Sequence, residues 1–250
     1  MPKLLILGGT AEASLLAKAV AQRGWPATLS YAGRTAVPKP QPIPVRIGGF
    51  GGAKGLKTYL EREEITHLVD ATHPFAAQMS WNAAEAAAAA GVPLAALVRP
   101  PWTPSAEDDW REAADMSCAV AALHGPPRRI FLAIGRQEVA AFAEAPQHHY
   151  LLRYVNEPSS PPPLPRHTLL VARGPFDAES DTALLRAHRI DMIVAKNAGG
   201  TGARAKLEAA RILRLPAIMI ARPPAPKRPS FEDPESLLDR IAHAGTALGV

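Results

Sequence analysis

Only one cysteine, Cys118, stands in 250 residues. A disulfide within the chain and a cysteine metal site are both excluded. His148 and His149 have no matching carboxylate or cysteine cluster, so no metal is expected. Long hydrophobic runs are missing as well. The longest stretch free of charge and strong polarity, residues 86–98, is too short to span a bilayer and is broken by Gly91 and Pro93. The N-terminal apolar run stops at Gly8, so no signal peptide and no membrane partner are expected, and a cytoplasmic location fits. Aromatic residues are scarce at 6%, and no stripe interleaves them with Lys or Arg. That argues against a nucleic-acid partner despite a net charge of +5. Scattered basic residues suit a multiply anionic small ligand better. Three catalytic signatures are also missing. There is no Gly-Lys-Ser/Thr phosphate loop and no Gly-x-Ser-x-Gly elbow, and none of Tyr31, Tyr59, Tyr150 or Tyr154 has a lysine four positions on.

What is present is a repeated alternation. Apolar strand-like runs fall at residues 3–7, 27–31, 45–47, 67–70 and 94–98, with helical patterns at 11–23, 55–63 and 76–90. Strands that are apolar throughout, separated by helices, predict a parallel sheet covered on both faces. Prolines 100, 101 and 104 then forbid a regular element within "RPPWTPSAEDDW", residues 99–110. A second series follows, with strands at 130–134, 150–153, 168–172, 192–195 and 217–220. Its helices are expected at 137–143, 178–188, 203–213 and 234–244. The expected organisation is α/β, with two open parallel sheets in tandem. The expected boundaries are an N-terminal domain at 1–99, a crossing segment at 100–127 and a C-terminal domain at 128–250.

Ligands of such sheets sit beyond the carboxyl ends of the strands, and the unusual residues gather there. Gly8-Gly9-Thr10 ends the first strand and opens a helix. It is either a tight turn or a phosphate seat, since glycine lets backbone approach a ligand and a helix N-terminus favours anions. The second strand ends without the carboxylate that selects NAD; Ser30 and Arg34 stand there instead. An arginine suits a 2′-phosphate, which favours NADPH, unless Arg34 is an ordinary surface residue. "IGGFGG" brings Gly48 and Gly49 to the third exit, as a cofactor approach or as an anchored set of turns. "VDATHPFA" holds Asp70, Thr72 and His73. Asp70 can satisfy backbone donors, and Thr72 or His73 can cap the next helix with Pro74 in its first turn. His73 can also position a ligand or shuttle a proton. "KNAGGTGARAK" supplies Lys196, Gly199, Gly200, Arg204 and Lys206, a seat for carboxylates or phosphate, or a flexible loop with solvated charges. Arg99, Arg136, Arg153 and Arg173 fall at strand ends and as a set suit an anion with several carboxylates.

"LILGGTAEA", "YAGR", "GGFGG", "DATHPFA", "RPPW" and "KNAGGTGARAK", in this order, resemble the precorrin-6A reductases of cobalamin biosynthesis. The resemblance runs from Leu4 to about Pro223. It implies two Rossmann-like domains with a cleft between them. It implies NADPH as hydride donor and the tetrapyrrole precorrin-6A as acceptor, reduced at its C18–C19 double bond to precorrin-6B. Gly8, Gly9 and Thr10 would hold the pyrophosphate, and Ser30 and Arg34 the ribose phosphate. Gly48, Gly49, Thr72 and His73 would line the cofactor side. Lys196, Gly199, Gly200, Arg204 and Lys206 would face the tetrapyrrole. His73 and Lys196 are the candidate proton donors, with a bound water as a third. Neighbouring pathway enzymes are the candidate protein partners. Two rivals stay open: another NADPH-dependent reductase of an anionic substrate, and a module that senses NADPH without turnover.

Overall fold

The computed structural model describes residues 1–32 and 40–246. Its first part alternates β1 (Leu4–Leu7), α1 (Ala11–Gln22), β2 (Ala27–Tyr31), β3 (Val45–Ile47), α2 (Gly52–Arg62), β4 (His67–Asp70), α3 (Ala77–Ala90) and β5 (Leu94–Leu97). Then come β6 (Trp110–Ala113), α4 (Met116–Ala121), β7 (Arg129–Ala133), a 3-10 turn (Val139–Glu144), β8 (His149–Tyr154) and β9 (His167–Val171). The rest is α5 (Ala178–Ala187), β10 (Met192–Lys196), α6 (Ala205–Leu213), β11 (Ala217–Ile220), β12 (Ser230–Phe231) and α7 (Pro234–Thr246).

Two compact units result: residues 1–100 with 223–250, and residues 101–222. Each contains a six-stranded sheet. The first has the order β3-β2-β1-β4-β5-β12, the second β9-β8-β7-β10-β11-β6. Every pairing among the described residues is parallel. Both are open Rossmann-like sheets, as the alternation predicts.

The strands of each centre are apolar on both sides because helices cover both faces. In the first unit, Leu4, Ile6 and Leu29 bury against Leu16 and Val20 of α1 and Leu237, Leu238 and Ile241 of α7. On the opposite face Leu5, Leu7 and Leu68 bury against Leu56 and Leu60 of α2 and Ala83, Ala86 and Ala87 of α3. The small alanines let α3 lie close to the sheet, and Gly91 at φ +66° closes that helix. In the second unit Phe131, Leu151, Ile193 and Met219 bury with Leu185 of α5 and Leu207 of α6.

The sixth strands depart from the expected boundaries. β6 follows β5 in the chain but pairs with β11; β12 follows β11 but pairs with β5. Residues 110–113, expected within a crossing segment, therefore belong to the second sheet, and α4 belongs to the second unit. Residues 223–250, expected in the second domain, return to the first. The reason is packing: Ser230 and Phe231 pair with Ala96 and Leu97, and α7 covers the open side of α1. Both strands are edge strands with solvated positions, so neither carries an apolar run. The expected helix at 137–143 is instead the short 3-10 turn, bracketed by Gly135 and Pro146.

The proline-rich strap before β6 is pinned to α6. Arg211 donates to both oxygens of Asp108, from Nε at 3.0 Å and Nη2 at 2.9 Å. Burial alone raises the Asp108 pKa, but hydrogen bonds from Arg211 and Ser105 outweigh it and hold the group at about 2. A pKa held below the ordinary 3.8 means that folding favours the charged carboxylate. Its stabilisation is complete above about pH 4 and is lost as the pH falls through about 2. Asp108→Asn should lower the thermal midpoint at pH 7. The gap to the parent should narrow steadily as both are melted at pH 4, 3 and 2.

Candidate functional site

The order of the first sheet reverses between β1 and β4, and ligands of open α/β sheets bind at such a switch point. The two exits there are Gly8-Gly9-Thr10 and Ala71-Thr72-His73. A Cβ on Gly8 would come within 2.6 Å of Leu29 Cδ1 and 3.2 Å of Ala13 Cβ, so Gly8 is required by packing of α1 on the sheet. Gly9 has φ +115° and open space around it. It is the position where backbone can meet a ligand. Thr10 caps α1: its Oγ1 accepts from Ala13 N at 3.1 Å and donates to the Ala71 carbonyl at 2.8 Å. The amides of Gly9, Thr10, Ala11 and Glu12 have no partner among the described residues. Four unpaired donors at a helix N-terminus make a seat for an anion. Glu12 lies in that first turn, but Arg99 from the end of β5 pairs with it at 2.8 Å and offsets its charge.

The other expected cofactor residues have partners of their own. Ser30 is buried, and its hydroxyl accepts from Arg46 Nη1 at 3.3 Å. Arg34 lies outside the described residues. Arg46, in β3, was not singled out by the sequence. Its guanidinium donates to the carbonyls of Gly48 at 2.5 Å and Gly49 at 2.8 Å, and lies 3.9 Å from the Phe50 ring centroid. Arg46 and Phe50 thus anchor the turns of the "GGFGG" loop, with Gly48 at φ +122° and Gly51 at φ +81°. Gly55 lets α2 start against it, since a Cβ there would strike the Phe50 carbonyl.

The β4 exit corrects the capping expectation. α3 begins at Ala77 after Ala76, which provides no side-chain cap, and Pro74 lies in a turn before the helix. Thr72 instead gives its amide and hydroxyl to Asp70 Oδ1, at 3.1 and 2.7 Å. The exposed His73 accepts from the Phe75 amide at Nδ1, at 3.2 Å.

In the second sheet the switch point falls between β7 and β10. There Lys196 forms an ion pair with Glu138, and it is largely buried. Asn197 and Trp102 bond reciprocally: the Trp102 amide donates to Asn197 Oδ1 and Asn197 Nδ2 to the Trp102 carbonyl. Trp102 Nε1 donates to Gly200 O at 2.7 Å, and Arg222 donates to the carbonyls of Asn197 and Ala198, each at 3.0 Å. A planar trans peptide points its N–H opposite its C=O. The Gly199 and Thr201 amides therefore face away from Arg222 and Trp102. Gly199 and Gly200 have φ +69° and +76°. Lys206 corrects its expectation: it is buried, donates to the Ala203 carbonyl and lies 5.0 Å from the Trp102 ring, so it braces the loop from below. Arg204 is exposed and pairs with Glu208 at 3.3 Å.

The four arginines also do not act as one set. Arg99 is held by Glu12. Arg153 is held by Asp181 at 2.5 Å and stacks on Phe176. Arg136 and Arg173 are exposed, with Arg173 donating to Asn156 at 3.3 Å.

A family profile described as precorrin-6x reductase CbiJ/CobK matches residues 3–242. The chain belongs to the precorrin-6x reductase family. A precorrin-6A reductase of Rhodobacter capsulatus is 55% identical over 251 residues, with 100% of each chain covered. One from Sinorhizobium sp is 48% identical, covering 97% of this chain and 93% of the relative. A solved structure of a CobK precorrin-6A reductase matches with a TM-score of 0.93 at 55% identity, over 98% of each chain.

Among the described residues of this member of the precorrin-6x reductases, no helix is long and apolar enough to cross a membrane, and no group of three or more His, Cys, Asp or Glu side chains could hold a metal ion. Sequence reasoning missed Arg46, Arg222 and Arg228. Each reaches a partner that no motif spacing marks. At the first switch point, Thr10→Val should destabilise this reductase by about 1 kcal/mol in denaturant titrations, as the cap acceptor is lost. Thr10→Ser should stay within a few tenths of the parent.

Proposed function

We propose that this chain catalyses the NADPH-dependent reduction of precorrin-6A to precorrin-6B in cobalamin biosynthesis, with hydride delivered to the C18–C19 double bond. The observation that carries the reading is the open corner at the first switch point, in a chain that matches a precorrin-6A reductase along its whole length. The corner fits a dinucleotide. It offers Gly9 in open space, four unpartnered amides among the described residues, and a first-turn carboxylate already offset by Arg99.

Bound there, NADPH supplies the hydride, and the chain orients and neutralises. Gly9, Thr10 and the start of α1 take the pyrophosphate. The sequence that follows β2 has no carboxylate and carries Arg34, which supports the phosphorylated cofactor over NADH. Gly48, Gly49 and Thr72 line the cofactor side. Gly8 and Ser30 support that side from within the sheet. The loop at Gly199 and Gly200, with Arg204, takes substrate carboxylates through outward amides and an exposed guanidinium. Lys206 supports it. For the proton, we assign His73. Its Nδ1 accepts from the Phe75 amide, so in the neutral ring Nε2 carries the proton. Lys196 is committed to Glu138 and keeps the second switch point in register.

The test is an anaerobic mixture of the purified protein, NADPH and precorrin-6A, followed by NADPH absorbance and the pigment spectrum together. The two signals should change in step. Binding of NADPH without consumption would reject precorrin-6A as the substrate and leave the corner as a nucleotide site. Arg34→Ala should weaken NADPH binding by about 1–3 kcal/mol, the worth of a charged hydrogen bond, and leave NADH nearly unchanged. Equal losses for both would place Arg34 away from the 2′-phosphate.

A further inference from the structure

At the end of β4 lies a carboxylate that no surface charge neutralises. Asp70 is buried, with its side chain 2% exposed, and accepts four hydrogen bonds. Oδ1 takes the Thr72 amide and hydroxyl. Oδ2 takes Ser80 Oγ at 2.6 Å and Arg228 Nη2 at 2.7 Å. Two bonds to each oxygen nearly exhaust the lone pairs of a carboxylate. The cation comes from 158 positions away, in the segment that leads into β12. The Arg228 side chain is itself 7% exposed. Its Nη1 is fixed by the Pro226 carbonyl at 2.9 Å, and its Nε is buried with no hydrogen-bond partner.

A guanidinium whose two Nη atoms are bonded while a buried Nε–H is left over is not an arrangement optimised for stability. What it does achieve is local. Asp70 accepts from the amide and the hydroxyl of Thr72, which fixes the backbone from β4 into the turn. His73 is the next residue. On the other side of the same exit, the Ala71 carbonyl accepts from Thr10 Oγ1, the cap of α1. The Arg228 guanidinium is the cation that faces this buried carboxylate.

We infer that Arg228 is a positioning residue for the reductase. It acts through Asp70 to hold the Thr72–His73 turn, so the returning C-terminal segment sets the geometry of the proton-donating side. This rests on the reading above, in which His73 serves the reaction.

The experiment compares Arg228→Met, Arg228→Lys and the double variant Asp70→Asn/Arg228→Met with the parent. Each is assayed at a temperature well below its own thermal midpoint. Arg228→Met should raise KM for NADPH and lower kcat by about tenfold each. Its Thr72 and Phe75 amides should exchange with deuterium about tenfold faster, while α2 amides keep the parent rate. Arg228→Lys should recover most of the loss, because one donor on Oδ2 suffices. The double variant should also recover, because the neutral amide that replaces the carboxylate no longer needs a cation. Parent-like kinetics and Thr72 exchange in a less stable Arg228→Met would overturn the inference and leave Arg228 a stabilising residue only. Failure of the double variant to recover would equally overturn it, since Arg228 would then not act through Asp70. If the parent does not consume NADPH, the functional reading falls. The exchange rates still decide whether Arg228 holds the turn.

Discussion

The hydroxyl of Thr10 donates to the Ala71 carbonyl and accepts from the Ala13 amide. Through that one oxygen the start of α1 is fixed to the exit of β4, the two sides of the first switch point. A parallel sheet sends each strand into a crossover, so its two central exits diverge unless something joins them. Here the joint is a cap residue. It leaves the Gly9, Thr10, Ala11 and Glu12 amides without partners among the described residues, because the side chain satisfies the Ala13 amide further along the helix. An open anion seat and a closed sheet edge are thus consequences of the same bond.

The second unit reaches a similar arrangement by different chemistry. Its glycine loop is not held by a cap, since Arg204, the residue before α6, provides no side-chain acceptor. Instead Trp102, Lys206 and Arg222 bind its carbonyls. Lys206, which sequence inspection sends to a ligand, is taken up by a backbone oxygen, and Arg222 and Trp102 fix the direction in which the planar peptides point. Lys196 is taken up by a side chain instead, the Glu138 carboxylate.

Much of the architecture was legible, because buried parallel strands are apolar throughout and the glycine-rich exits interrupt them sharply. Leu4 to Leu7, followed by Gly8 and Gly9, needs no other context. The edge strands were not legible: "WREA" at β6 has charges because its sides are solvated, and β12 is two residues long. The site was partly legible. Gly9, Thr10 and His73 lie where strand exits predict. The partners of Ser30, Lys196 and Lys206 were hidden, because an ion pair or carbonyl contact depends on the folded arrangement of side chains and not on motif spacing. Arg228 illustrates the limit: "PKRPS" has no periodicity, and its meaning comes only from a carboxylate in β4.

The exchanged sixth strands also bear on biosynthesis. The second unit is a continuous stretch, residues 101–222, whereas the first is assembled from two separated stretches. As the chain leaves the ribosome, the unit that starts later has all of its sheet first. The first unit must wait with the β5 edge unpaired and one side of α1 uncovered until β12 and α7 emerge. Its carboxylate at Asp70 waits as well. The order of completion is therefore the reverse of the order of synthesis, and β12 and α7 are what close the first unit.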